Sequence, residues 1–85
     1  MNNQQSTEIN DIASLLFNKY GSVTLSTENT AEATTRSTIS LTRDRASGIG
    51  IPYMKLGAGS GSDRVMYSVY DIAKFIVSRK QKVMS

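Results

Sequence analysis

The stretch IPYMKLGAGSGSDRVMY, residues 51–67, places a basic residue on each side of a loop made of small residues. Lys55 precedes the loop and Arg64 follows it, while residues 57–63 are glycine, alanine, serine and one aspartate. Lysine and arginine donate hydrogen bonds to anions, and the planar fork of arginine suits phosphate in particular. The spacing therefore indicates a flexible loop with cationic flanks that binds a phosphate-bearing surface.

The composition argues against catalysis and metal binding. The 85 residues include no histidine and no cysteine, and the seven acids are scattered without the spacing of a calcium loop. The segment GAGSGSD lacks the Gly-Lys-Ser/Thr ending of a nucleotide-binding loop, and Asp63 would repel a phosphate there. We therefore expect no enzyme, no metal, no cofactor and no small-molecule substrate.

The net charge of +3 is unevenly distributed along the chain. Residues 1–35 contain one basic and four acidic side chains, whereas residues 36–85 contain nine basic and three acidic ones. Such asymmetry is typical of a protein with one anion-facing surface, although small basic proteins also occur without that function. With no apolar run long enough for a bilayer and a polar N-terminus, we expect a cytoplasmic protein.

The first quarter of the chain predicts a tail and one amphipathic helix. Residues 1–7 are polar and have nothing to bury, so we predict a disordered tail. From Ile9 apolar residues recur at helical spacing until Gly21, which predicts a helix near residues 8–20 with a face packed on the core. The sequence leaves open whether this helix instead mediates dimerisation. A brief extended piece around residues 23–25 follows.

The middle of the chain predicts two short helices with a tight break between them. Ser26 or Thr27 can cap the first helix, which runs to about residue 33. Ser37 can cap the second, over residues 38–46, and glycines follow its end.

The last third predicts a hairpin and a helix. YMKL and RVMY indicate two strands on either side of the glycine-rich loop. The segment SVYDIAKFIVSRKQKV is the clearest helix of the chain, with Ser68 and Asp71 as a capping pair. This order of elements is that of a winged helix-turn-helix, mainly α with a small β-hairpin. We therefore predict a single domain over residues 8–85 with an extra N-terminal helix, a recognition helix over 38–46 and a wing over 53–67.

The segment LSTENTAEATTRSTISLTRDRASGIGIPYMKLG, residues 25–57, resembles small winged-helix proteins of the mercury-resistance-regulator (MerR-like) superfamily. It is most similar to the excisionase-like and AlpA-type prophage regulators, which are encoded on prophages and other mobile elements. The matching residues include Leu25, Glu28, Ser37, Leu41, Arg43, Arg45, Gly48, Pro52, Tyr53, Lys55, Gly57, Tyr67 and Asp71. The sequence departs from the pattern at Thr35, where the family has a turn glycine, and at Asp44, where it often has tryptophan or leucine. The resemblance implies a DNA-binding, nucleoid-associated protein of bacterial or phage origin.

An inward Leu41 fixes which side of the second short helix would meet DNA. At about 100° per residue, Ile39, Thr42 and Arg43 then point away from the core. Arg43 is best suited to read a guanine edge, because its fork can pair bidentately with that base. The full set expected to contact DNA is Arg36, Thr38, Ile39, Thr42, Arg43, Arg45, Lys55 and Arg64.

The other basic residues have alternatives within the protein. We expect Arg36 and Arg45 to contact phosphate, but Arg36 can instead pair with Glu32 on a helix face. Arg45 can pair with Asp44 or Glu28 on the surface. Three aromatic residues are expected in the core and at its rim: Tyr53, Tyr67 and Tyr70.

Two functions are compatible with these residues. The first is a sequence-specific double-stranded DNA-binding protein, either a transcriptional regulator or an excisionase-type factor that bends DNA and recruits a recombinase. Its expected partner is duplex DNA, and an integrase or a second copy of the chain is the candidate for a further partner. The alternative is a protein–protein adaptor or anti-repressor that uses the same fold without DNA.

Overall fold

The computed structural model of the chain describes residues 3–57 and 64–80. These residues form four helices and a three-stranded antiparallel sheet, in agreement with the predicted mainly α class with a small hairpin. The elements in chain order are α1 (Asn3–Tyr20), β1 (Thr24–Ser26), α2 (Thr27–Thr34), α3 (Thr38–Ser47), β2 (Met54–Leu56), β3 (Arg64–Ser68) and α4 (Val69–Ser78). Within the described ranges, no helix has both the length and the apolar character needed to cross a bilayer.

Helix α1 is longer than predicted at its N-terminal end. It begins at Asn3, so the predicted disordered tail is wrong for residues 3–7. Once the apolar part of a helix is anchored, each further residue adds a backbone hydrogen bond without a new nucleation cost, and polar residues can extend it. The predicted stop is confirmed: Gly21 has a φ of 72° and its N–H donates to the Phe17 carbonyl at 2.7 Å.

The apolar face of α1 packs against α4, as expected for a helix that covers the core. Ile9 and Leu16 are buried on α1, and Ile72 and Ala73 are completely buried on α4. An ion pair between Lys80 and Glu8 joins the ends of the two helices.

A hydrogen bond ties α1 to α2. The Tyr20 hydroxyl donates to the Glu32 carboxylate at 2.5 Å. This contact raises the pKa of Tyr20, because the hydrogen bond to Glu32 holds the protonated phenol and the carboxylate charge opposes its ionisation.

The sheet has the order β1-β3-β2, and the pairing of β1 with β3 was not predicted. Leu25 lies opposite Tyr67 in this ladder, and both side chains are 1% exposed. The hairpin of β2 and β3 is confirmed, with Lys55 opposite Val65. One face of the sheet thus contributes to the core, together with Leu41 of α3.

Local capping sets the bounds of α2, α3 and α4. The hydroxyls of Ser26, Ser37 and Ser68 each accept a hydrogen bond from the backbone N–H three residues later, at 3.0–3.1 Å. These caps confirm the predicted helix starts, because each hydroxyl satisfies one of the free amides of a first turn.

The turn between α2 and α3 rests on an unusual residue. Thr35 follows α2 with a φ of 57° and a ψ of 36°. Its N–H donates to the Glu32 carbonyl and the Arg36 N–H donates to the Ala31 carbonyl, which is the hydrogen-bond pattern of a Schellman motif. Gly48 ends α3 with the same pattern and a φ of 72°. The left-handed region favours glycine and is costly for a β-branched residue.

We expect Thr35→Gly to stabilise the protein by about 0.5–1 kcal/mol, since relief of the left-handed strain outweighs the greater freedom of glycine in the unfolded chain. Urea unfolding of the variant and the unmodified chain measures this difference. Ala33→Gly, two residues earlier and inside α2, is the control and should destabilise by about 1 kcal/mol. A Thr35→Gly variant no more stable than the parent would show that this threonine is not strained.

Candidate functional site

Helix α3 exposes the face that the sequence predicted. Leu41 is 2% exposed and lies in the core, whereas Ile39 is 69% exposed. Thr42, Arg43 and Ala46, which the same spacing places on the outward side, are also exposed, and so is Thr38 at the start of the helix. The orientation inferred from Leu41 is therefore confirmed, although contact with DNA stays a prediction.

Arg43 lies on the outward face with its guanidinium uncommitted. Among residues 3–57 and 64–80, no hydrogen bond or ion pair involves its side chain. Its neighbour Thr42 donates its hydroxyl to the Thr38 carbonyl one turn earlier at 2.9 Å. All five N–H donors of Arg43 are thus available to a ligand.

Arg36 is half-buried, with 26% of its side chain exposed, and its guanidinium is bonded to neighbouring side chains. One guanidinium nitrogen donates to Asp44 Oδ2 at 2.7 Å and the other to Ser40 Oγ at 2.6 Å. The guanidinium carbon also lies 5.6 Å from the centre of the Phe75 ring. These contacts occupy much of the hydrogen-bonding capacity of the Arg36 guanidinium, which we expected to be free for phosphate.

The alternative pairing of Arg36 with Glu32 is wrong. Helix α2 ends at Thr34 and the left-handed Thr35 turns the chain, so Arg36 does not continue the α2 face that carries Glu32. The partner is Asp44. Opposite charges eight residues apart across a turn were the only sequence signal for this pair.

Arg45 is also committed to the interior. It donates to the Tyr67 hydroxyl at 2.6 Å and makes longer hydrogen bonds to Thr27 at 3.4 Å and Thr42 at 3.3 Å. The buried Tyr67 hydroxyl needs a partner, because an unpaired polar group inside the protein is costly. The expected surface pairs with Asp44 or Glu28 do not form, since the side chain turns toward the sheet.

The two arginines contact opposite flanks of α3. With Leu41 at zero and about 100° per residue, Ser40 and Asp44 lie on one side and Arg45 on the other. Arg36 binds the first flank through Ser40 and Asp44. Arg45 joins the second flank to the sheet through Tyr67. The outward face of α3 is therefore fixed from both sides.

The basic residues of the hairpin point to opposite faces of the sheet. Lys55 pairs with Val65, so both share the face of Tyr67 that meets α3. Arg64 pairs with Leu56. It directly precedes Val65 in β3, and because successive strand residues point to opposite faces, it lies on the other face. The register thus sets the two cations on opposite faces, and contact of either one with phosphate stays a prediction. The tip predicted to be mobile, residues 58–62, lies outside the described residues.

The tyrosines lie as expected, in the core and at its rim. Tyr67 is 1% exposed, Tyr53 41% and Tyr70 46%. The rings of Tyr53 and Tyr67 are 6.4 Å apart, and the Arg45 guanidinium lies within 6 Å of both. The sequence did not reveal this stack of two rings and one cation, which connects the wing-like hairpin to α3.

The chain was also compared with models of protein families, with curated proteins and with solved structures, and none of the three comparisons finds a match.

Proposed function

We propose that the protein is a sequence-specific double-stranded DNA-binding protein of the winged helix-turn-helix type. Helix α3 enters the major groove and the hairpin lies on the phosphate backbone. The observation that carries the proposal is the outward face of α3, where an uncommitted Arg43 stands beside short hydroxyl side chains. An α-helix fits the major groove, and a free arginine fork is the commonest reader of guanine.

The fixed position of α3 also suits its outward face to the long, regular surface of a DNA duplex. Arg36 and Arg45 hold α3 rigidly through its flanks, so the outward side chains keep a fixed spacing. Ile39, at 69% exposed, can contact a thymine methyl group without a hydrogen bond. The resemblance to excisionase-like and AlpA-type regulators supports a role as a regulator or a DNA-bending recombination factor, without catalysis.

One observation favours the alternative of a protein adaptor. Three large apolar residues on α3, just after it and on β2 are exposed: Ile39, Ile49 and Leu56. Exposed apolar surface is typical of protein–protein contacts. Gel retention on duplex DNA at rising salt separates the two functions, because only DNA binding shows a steep linear loss of log affinity with log salt.

Arg43→Ala is the direct test of the proposed reading face. We expect it to weaken binding to the specific site by about 1–3 kcal/mol and to relax sequence preference. Affinities for the specific and a random duplex are measured at one salt concentration. Lys74→Ala, which removes an exposed cation from α4, is the control and should change neither value much. An equal loss on both duplexes would make Arg43 a phosphate contact.

The hairpin should contribute affinity through one face. Lys55 shares the face that meets α3, so Lys55→Gln should reduce the slope of log affinity against log salt by about 0.9 units. Arg64→Gln removes the same charge from the opposite face and should leave the slope nearly unchanged. Salt titrations of both variants measure the slopes. A larger effect at Arg64 would mean that the hairpin presents its other face to DNA.

A further inference from the structure

A cleft between the end of α2 with its following turn and the end of α4 brings two guanidinium groups onto one aromatic ring. The cleft has a volume of about 480 Å³ and is lined by Thr34, Arg36, Phe75, Ile76 and Arg79. The guanidinium carbon of Arg79 lies 4.9 Å from the centre of the Phe75 ring, and that of Arg36 lies 5.6 Å from it. Two positive charges against one ring repel each other, and a nearby anion would relieve this repulsion.

Only one of the two cations has a carboxylate partner in the described part of the chain. Arg36 pairs with Asp44, but no ion pair or side-chain hydrogen bond there involves Arg79. Its backbone N–H donates to the carbonyls of Phe75 and Ile76 at 3.2 Å, which anchors the residue at the end of α4. The ring orients the guanidinium while its N–H donors remain available.

The cleft lies on the flank of α3 that faces away from the sheet. Arg36 reaches it from Ser40 and Asp44, whereas Arg45 and the hairpin occupy the other flank. The major groove is about 12 Å wide and is bordered by a phosphate backbone on each side. If the hairpin contacts the phosphate backbone on one side of the groove, the cleft lies on the side where the second phosphate backbone would pass.

We propose that Arg79, stacked on Phe75 beside Arg36, binds a backbone phosphate of duplex DNA on the side of α3 opposite the hairpin. This inference rests on the proposed function. A phosphodiester oxygen accepts two N–H bonds from the Arg79 fork, and the neighbouring Arg36 adds positive potential. The protein then holds the two edges of the groove with different elements.

Salt titration of three variants tests the proposal. Arg79→Gln should lower the salt slope by about 0.9, so that between 50 and 200 mM salt the variant loses about 3.5-fold less affinity than the parent. Lys74→Gln removes one charge from the same helix on another face and should keep the parent slope. Arg79→Lys keeps the charge and should restore most of the slope. Melting temperatures of all three exclude unfolding as the cause.

Two outcomes overturn the inference. Equal slopes for Arg79→Gln and Lys74→Gln, with DNA still bound, would show that the cleft does not meet phosphate while the proposed function stands. Parent protein that binds no duplex at low salt would end both proposals. Titration of that protein with inorganic phosphate, followed through the Nε–H resonance of Arg79 by NMR, then reports whether the cleft binds a free anion.

Discussion

Leu41→Ala should lower the free energy of unfolding by about 2–5 kcal/mol, the range for removing a buried leucine and leaving a cavity. Leu41 is 2% exposed and is the one fully buried side chain that α3 places in the core. A small domain has a total stability of about 5–15 kcal/mol, so this loss is a large fraction of it. Urea unfolding followed by circular dichroism gives the difference.

Ile39→Ala is the matched control for this experiment. Ile39 lies two residues earlier on the same helix and is 69% exposed, so its truncation should change stability by no more than about 0.5 kcal/mol. The contrast tests the orientation of α3 without any ligand. Similar losses for the two variants would contradict the assigned faces and, with them, the choice of Arg43 as the reading residue.

Gly50→Ala should destabilise the protein by about 2–4 kcal/mol, because it combines backbone strain with overpacking. Gly50 has a φ of 88°, in the left-handed region. A Cβ atom there would lie 2.9 Å from both Cβ and Oδ2 of Asp44. Asp44 Oδ2 is the atom that accepts from Arg36, so relief of the clash must disturb that ion pair.

Gly48→Ala separates the two causes. Gly48 has a similar φ of 72°, but an added Cβ would have no neighbour within 4 Å. Its substitution should therefore cost only the backbone strain, about 1 kcal/mol. In the Gly50 variant alone, the Arg36 side-chain resonances should move toward those of a solvated arginine. Equal stability losses at both glycines would show that Asp44 moves aside at no cost.

Both experiments bear on the same feature of the candidate site. The outward face of α3 depends on what lies behind it and beside it: Leu41 in the core, Arg36 with Asp44 on one flank and Arg45 with Tyr67 on the other. Two of the arginines that composition made candidates for DNA contact thus hold the helix. The other three candidate cations, Arg43, Lys55 and Arg64, are exposed.

The elements that depend on residues close together in the chain could be predicted from the sequence. Serine hydroxyls cap helices within three residues, glycines end them, and the 3.6-residue period places Leu41 inward and Arg43 outward. Even the unusual Thr35 was visible as a threonine at a position where the related pattern has glycine. These features are readable because each rests on contacts within one turn of the chain.

The contacts between segments far apart in the chain could not be predicted from the sequence and are seen in the folded structure. The pairing of β1 with β3 joins residues at least 40 positions apart, and the ladder register sets Lys55 and Arg64 on opposite faces. An arginine can reach many partners, so its choice depends on which side chains folding brings near. Arg45 donates to the buried Tyr67 hydroxyl. The turn at the end of α2 directs Arg36 to Asp44. Charge is written in the sequence, but its availability to a ligand is set by burial and by partners that come from elsewhere in the chain.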